Sequence, residues 1–136
     1  MSLTLTTHDR RFDDPDAATI AKVLSLLDGG LHVLATLAHS ELTYLQASGS
    51  VSVGFALEHQ EGSLDRHYRS RTAILPLGPV TEVFQKYACG DESWRQGVEW
   101  EHVPYVRKKT PWFSTWIGLG IMLLIVITLF FLWYRP

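Results

Sequence analysis

The sequence predicts an α+β fold, a two-layer domain in which a mostly antiparallel sheet carries two helices, followed by one C-terminal transmembrane helix. Three observations predict it. Apolar residues recur at helical spacing over residues 17–27 and then switch to a period of two over residues 31–57. A second three-four repeat follows the paired prolines Pro76 and Pro79. Finally, the 23 residues from Trp112 to Tyr134 contain no charge.

Taken in order, Leu3 to Thr7 alternates apolar and Thr residues and reads as a short first strand, with His8 to Asp14 a charged turn. A helix is expected from Pro15 to Leu27. Asp13 or Asp14 would cap it, Pro15 suits its first turn, and Asp16 suits the positive end of the dipole. Ala17, Ile20, Val23, Leu24 and Leu27 form its apolar stripe, and Asp28-Gly29-Gly30 supplies the stop. Leu31, Val33, Ala35 and Leu37 then point one way along a strand. A break at His39-Ser40-Glu41 leads to a strand over residues 42–47. Gly49-Ser50 separates this from Val51, Val53, Phe55 and Leu57, with Ser52, Gly54, Ala56 and Glu58 on the other face. Glu61-Gly62-Ser63 is a hairpin turn into a strand over residues 65–75. Pro76 and Pro79 end it, since neither can donate to a ladder. Val80, Val83, Phe84 and Tyr87 mark one face of the second helix, which Gly90 closes; residues 91–96 read as a loop and residues 97–103 as a last strand. Both helices are expected on one face of the sheet, leaving the other face either solvated or available for binding.

The domain organisation is a head over residues 1–103, a basic linker over 104–110 and an anchor over 111–136. At about 1.5 Å per residue the uncharged run reaches roughly 35 Å, enough to cross a ~30 Å hydrocarbon core. Trp112, Trp116, Trp133 and Tyr134 sit at its two edges, as aromatic residues do at membrane interfaces. Arg107, Lys108 and Lys109 precede the run and Arg135 alone follows it. That bias places the head on the cytoplasmic side, the chain being tail-anchored. Ser114 and Gly118 have the small-xxx-small spacing that lets membrane helices approach closely.

Charge and cysteine content restrict the function further. Four of the twelve Lys and Arg residues lie beyond residue 106, so residues 1–106 hold eight against fourteen Asp and Glu, a formal charge of −6. Nucleic-acid binding rests on cations that neutralise phosphates, so such a head does not suit that role; it suits a basic protein partner, though solubility alone also accounts for the charge. Cys89 is the only cysteine, which excludes an internal disulfide and a multi-cysteine metal site. The six histidines show no metal-ligand spacing, so neither a metal nor a cofactor is assigned.

Two groups of residues are candidate partner-binding sites. His67, Arg69 and Arg71 alternate along one strand, with Glu58 placed across the turn to face them. Such a row either grips a phosphate or carboxylate in a pocket, as in a small membrane-bound enzyme or sensor, or decorates an exposed strand. Asp91, Glu92 and Trp94 form the second group, an aromatic among acids. Trp100 is expected in the core, and Trp94 is left open between core and patch.

The head also resembles a known family. The DDPD helix start, Tyr44-Leu45-Gln46-Ala47, Leu57-Glu58, Glu61-Gly62-Ser63 before Arg66-His67-Tyr68, and then Phe84, Tyr87, Gly90-Asp91 and Trp94-Arg95 ahead of Trp100 resemble the small bacterial immunity proteins of polymorphic toxin systems. The likeness spans residues 10–102 and rests on scattered aromatic, glycine and acidic positions. It implies a non-enzymatic α+β domain that neutralises a cognate toxin, often by occluding its active site. A membrane span departs from that family's usual soluble form. The reading is therefore a non-catalytic, membrane-anchored protein-binding module, whose partners are a protein and the lipid bilayer. The alternative is a single-span accessory subunit of a larger membrane complex.

Overall fold

A computed structural model describes residues 2–30, 33–72 and 74–105. The elements run β1 (Thr4–Thr6), β2 (Arg11–Asp13), α1 (Ala17–Ser25), β3 (Leu34–Ser40), β4 (Thr43–Ser50), β5 (Gly54–Glu61), β6 (His67–Ser70), α2 (Leu77–Ala88), a 3₁₀ helix (Glu92–Gly97) and β7 (Trp100–His102). The strands form one antiparallel sheet in the order β2-β1-β3-β4-β5-β6-β7. The α+β expectation holds. Among the described residues no helix is long and apolar enough to cross a membrane. The expected anchor over 111–136 lies outside the described residues, as do Arg107, Lys108, Lys109, Trp112, Trp116, Trp133 and Tyr134.

The first departure is β2, which the sequence reads as part of a turn. Only Thr7 to Arg10 turns: the Thr7 N–H donates to the Arg10 carbonyl at 2.8 Å, and Thr7 Oγ1 accepts from the Arg10 N–H at 3.2 Å. Arg11-Phe12-Asp13 then adds to the edge of β1, in a run too short to show alternation. Asp14 closes this hairpin. Its N–H donates to the Leu3 carbonyl at 2.7 Å, its Oδ1 accepts from the Leu3 N–H at 2.9 Å, and its φ is +46°. The cap of α1 is consequently Asp16, which accepts from the Thr19 N–H at 2.7 Å. Pro15 lies before the cap, and Ala17 is exposed.

A second departure lies between β4 and β5. Val51 and Val53 fit the alternation of Phe55 and Leu57, but they occupy the turn and are exposed. β4 instead continues through Gly49 to Ser50, whose hydroxyl is buried and accepts from the Val53 N–H. Gly49 allows this close pairing. At φ +132° it lies so near β5 that a Cβ would stand 2.2 Å from the Gly54 carbonyl oxygen. Between β3 and β4 the turn is Glu41-Leu42, and the register slips between Ala38 and Ser40.

The core follows from the two periods. Leu5, Ala35, Leu37, Leu45, Ala47, Phe55 and Leu57 cover one face of the sheet and are fully buried. Ile20, Val23 and Leu24 of α1, with Val80, Val83, Phe84 and Tyr87 of α2, close over them. A bond from Gln85 Nε2 to the Ala17 carbonyl, at 3.0 Å, ties the two helices together. Each fully buried large side chain contributes on the order of 2 kcal/mol. The opposite face of the sheet is polar and, among the described residues, carries no helix.

Candidate functional site

Antiparallel pairing sets the side chains of that open face in rows. One row runs Thr36, Gln46, Glu58, Arg69, Glu101, and beside it runs Ala38, Tyr44, Gln60, His67. Neighbours within and between the rows interact. Thr36 Oγ1 and Gln46 Oε1 are 3.0 Å apart, Tyr44 OH donates to Gln60 Oε1 at 3.2 Å, and Arg69 Nε and Nη2 each donate to Glu101 Oε2 at 3.3 Å. His67 Nε2 lies 3.3 Å from Glu58 Oε2. Arg71, just past β6, reaches Glu99 at 4.0 Å.

The structure therefore brings Glu58, His67 and Arg69 together as the alternation requires, with Arg71 following them. The row is open, however, not enclosed: the Arg69, Arg71 and Glu99 side chains are 58%, 68% and 81% exposed. Exposed pairs of this kind contribute roughly 0–1 kcal/mol, because solvent screens them and two long side chains must be ordered. They hold the fold only weakly and remain available to an incoming surface.

The second predicted group does not join the first. Asp91 caps the 3₁₀ helix by accepting from the Ser93 N–H at 2.9 Å, a bond that lowers its pKa. Glu92 pairs with Arg95 one turn on. Trp94 is core at 3% exposure, edge-on to Tyr87 and Trp100 at centroid distances of 5.3 and 5.7 Å. Trp100, expected to be buried, is half-buried at the sheet edge and donates its indole N–H to the Arg95 carbonyl at 3.0 Å. These residues fasten the segment between α2 and β7 to the helix side of the sheet.

At their centre is His59, which the sequence offered only as one of six scattered histidines. It continues the inward alternation of Phe55 and Leu57 and is 3% exposed. Its ring stacks on Tyr68 and meets Trp94 and Trp100 edge-on. Burial pushes its pKa down to about 4, against an opposing pull from Glu61. Glu61 in turn accepts from Arg95 Nε at 3.0 Å and also pairs with Arg66. Burial alone would raise the Glu61 pKa, but the Arg95 bond and the charges of Arg95 and Arg66 hold it below the usual value. The alternation of residues 55, 57 and 59 was the available signal for this cluster; no spacing marked Glu61 or Arg95. Among the described residues no group of three or more His, Cys, Asp or Glu is placed to hold a metal ion. Comparison of the chain with protein-family models, curated proteins and solved structures finds no match.

Proposed function

We propose that the chain is a non-catalytic, membrane-anchored module that binds a protein through the open face of its sheet, in the manner of an immunity protein occluding a toxin. The head lies on the cytoplasmic side and residues 111–136 hold it at the bilayer. The observation carrying this reading is the row in which half-buried Glu58 and His67 adjoin the exposed Arg69, Arg71, Glu99 and Glu101. It is a broad polar surface with both signs of charge, which suits the complementary face of another protein better than it suits enclosing a small molecule. The acidic balance of residues 1–106 favours a basic partner.

A photo-crosslinking residue placed at Arg69 in the full-length chain tests the reading, with the same residue at Glu82 on the outside of α2 as control. The expected result is one predominant protein adduct from position 69 in the membrane fraction and none from position 82. If that adduct is the product of a neighbouring gene whose toxicity the chain relieves, the immunity reading stands. A fixed-stoichiometry adduct with a large membrane assembly moves the reading to an accessory subunit. Recovery of the chain from the soluble fraction, or equal labelling from both positions, overturns it.

A further inference from the structure

Away from the open face, between α1 and the β1–β2 hairpin, lies a cavity of about 460 Å³. Small-molecule sites span ~300–1,000 Å³ and are mostly apolar with a few polar groups at the mouth. This cavity has both features. Phe12, Val23, Leu26 and Leu27 supply its apolar wall. Val23 and Leu27 are buried in the core, but Leu26, at the end of α1, is 56% exposed. An aliphatic side chain left in water beside a concave apolar wall is surface that an apolar ligand would cover.

The rim carries Asp9, Arg10, Lys22 and Asp28, so both signs of charge meet there and an anion needs a cation that no carboxylate already holds. Arg10 pairs with Asp9 at 3.4 Å, and Asp28 Oδ1 accepts from the Gly30 N–H at 2.9 Å. Lys22 also lines the cavity and has no ion pair among the described residues. A lysine in the last turn of a helix is favoured by the dipole wherever it points. The dipole does not account for the apolar wall and the exposed Leu26 beside it.

We propose that this cavity binds a small apolar carboxylate, its ring or chain against Phe12, Val23, Leu26 and Leu27 and its carboxylate at the Lys22 ammonium. The site stands apart from the sheet face that carries the protein-binding reading, and neither depends on the other.

The test titrates the full-length chain in lipid nanodiscs with phenylacetate and indole-3-acetate, following the Val23 and Leu26 methyl resonances against empty-nanodisc controls. Phenylacetamide serves as the neutral analogue. Saturable shifts are expected with both acids, with weaker binding of the amide. Lys22→Met should weaken the acids about tenfold, the usual effect of losing one charge-assisted hydrogen bond, and leave the amide unchanged. Thr19→Trp, an insertion from the cavity lining, should abolish binding of all three while the circular dichroism spectrum is retained. The proposal is overturned if no saturable shift appears, if the amide binds as tightly as the acids, or if Lys22→Met changes nothing.

Discussion

The His59 imidazole lies flat on the Tyr68 ring, centroids 4.8 Å apart and planes 13° from parallel, while its Nδ1 stands 3.6 Å from Glu61 Oε1. That distance exceeds a hydrogen bond, and Nδ1 has no hydrogen-bond partner among the described residues. The ring is thus held as a neutral aromatic in an aromatic box. Its folded pKa of about 4 lies below the ordinary 6.5, so the unfolded chain binds the proton more readily than the folded one between those values. Stability should be full above pH 6.5 and decline as pH falls towards 4. The pKa difference sets a ceiling of about 3 kcal/mol, which solvent screening lowers. Urea denaturation of the wild type and of His59→Phe at several pH values checks this. The variant should lose the dependence between pH 6.5 and 4.5 and keep that below it, where Glu61 takes up its proton.

Arg95 carries several contacts at once. Its guanidinium binds Glu61 at 2.9 and 3.0 Å, pairs with Glu92 and covers the Trp94 ring at 4.6 Å from the centroid. Arg95→Ala should cost about 1–3 kcal/mol, because it leaves the mostly buried Glu61 to Arg66 alone. It should also raise the Glu61 pKa and move acid unfolding to higher pH. Arg95→Lys should recover only part of the loss, since an ammonium neither stacks flat on the indole nor presents a planar fork to the carboxylate. Thermal denaturation at pH 7 and pH 5 separates the effects on packing and on charge.

Tyr87 offers the opposite case. Its hydroxyl is buried without a hydrogen-bond partner among the described residues, and burial pushes its pKa up to about 12. The ring itself is engaged, edge-on to Trp94 at 5.3 Å and tilted against His39 at 5.4 Å. Tyr87→Phe keeps these contacts and removes a desolvated group, so it should be neutral or stabilise by up to about 1 kcal/mol. A loss of stability in the melting temperature would show that the hydroxyl has a partner after all.

Two glycines with positive φ should respond differently to alanine. A Cβ at Gly49 would stand 2.2 Å from the Gly54 carbonyl oxygen and 3.1 Å from the Phe55 Cα, so β4 and β5 would have to part. At Gly90 a Cβ meets nothing within 4 Å. Gly90→Ala should therefore cost only the left-handed strain of about 1–2 kcal/mol, and Gly49→Ala clearly more. Equal losses in urea midpoint would mean that the strand pair can shift to make room.

These contrasts show what could be read from the chain and what could not. The stripe Val80, Val83, Phe84 and Tyr87 marked α2 because one face of a helix packs on a core and the spacing records it. Alternation likewise marked β3 and β5. It failed at Val51 and Val53, where the same pattern continues into a turn, because the pairing of Gly49 with Phe55 fixes the end of β4 and apolar alternation by itself does not record where a hairpin turns. β2 was illegible for a related reason: three edge residues leave no period, and Asp14 looks like a helix cap until its bonds to Leu3 are seen. At the candidate site, alternation placed His67 and Arg69 opposite Glu58. It could not show that Glu101 would take the Arg69 guanidinium, since β7 is 32 residues away along the chain.

The open face gives a final prediction that separates binding from folding. Arg69 and Glu101 are 58% and 48% exposed, so reversing both, as Arg69→Glu with Glu101→Arg, should retain an ion pair and change stability by less than about 0.5 kcal/mol. A partner that meets this face meets an inverted pattern of charge. Its association should slow by an order of magnitude or more, and the remaining rate should lose much of its dependence on salt. Single reversals should slow association too, each with a small cost in stability from the like charges it leaves facing one another. Stopped-flow association with the partner crosslinked at position 69, at low and high salt, measures this beside urea denaturation of the same variants. If the double reversal leaves both rate and salt dependence unchanged, the row is only a solvated strand surface and the partner must dock elsewhere.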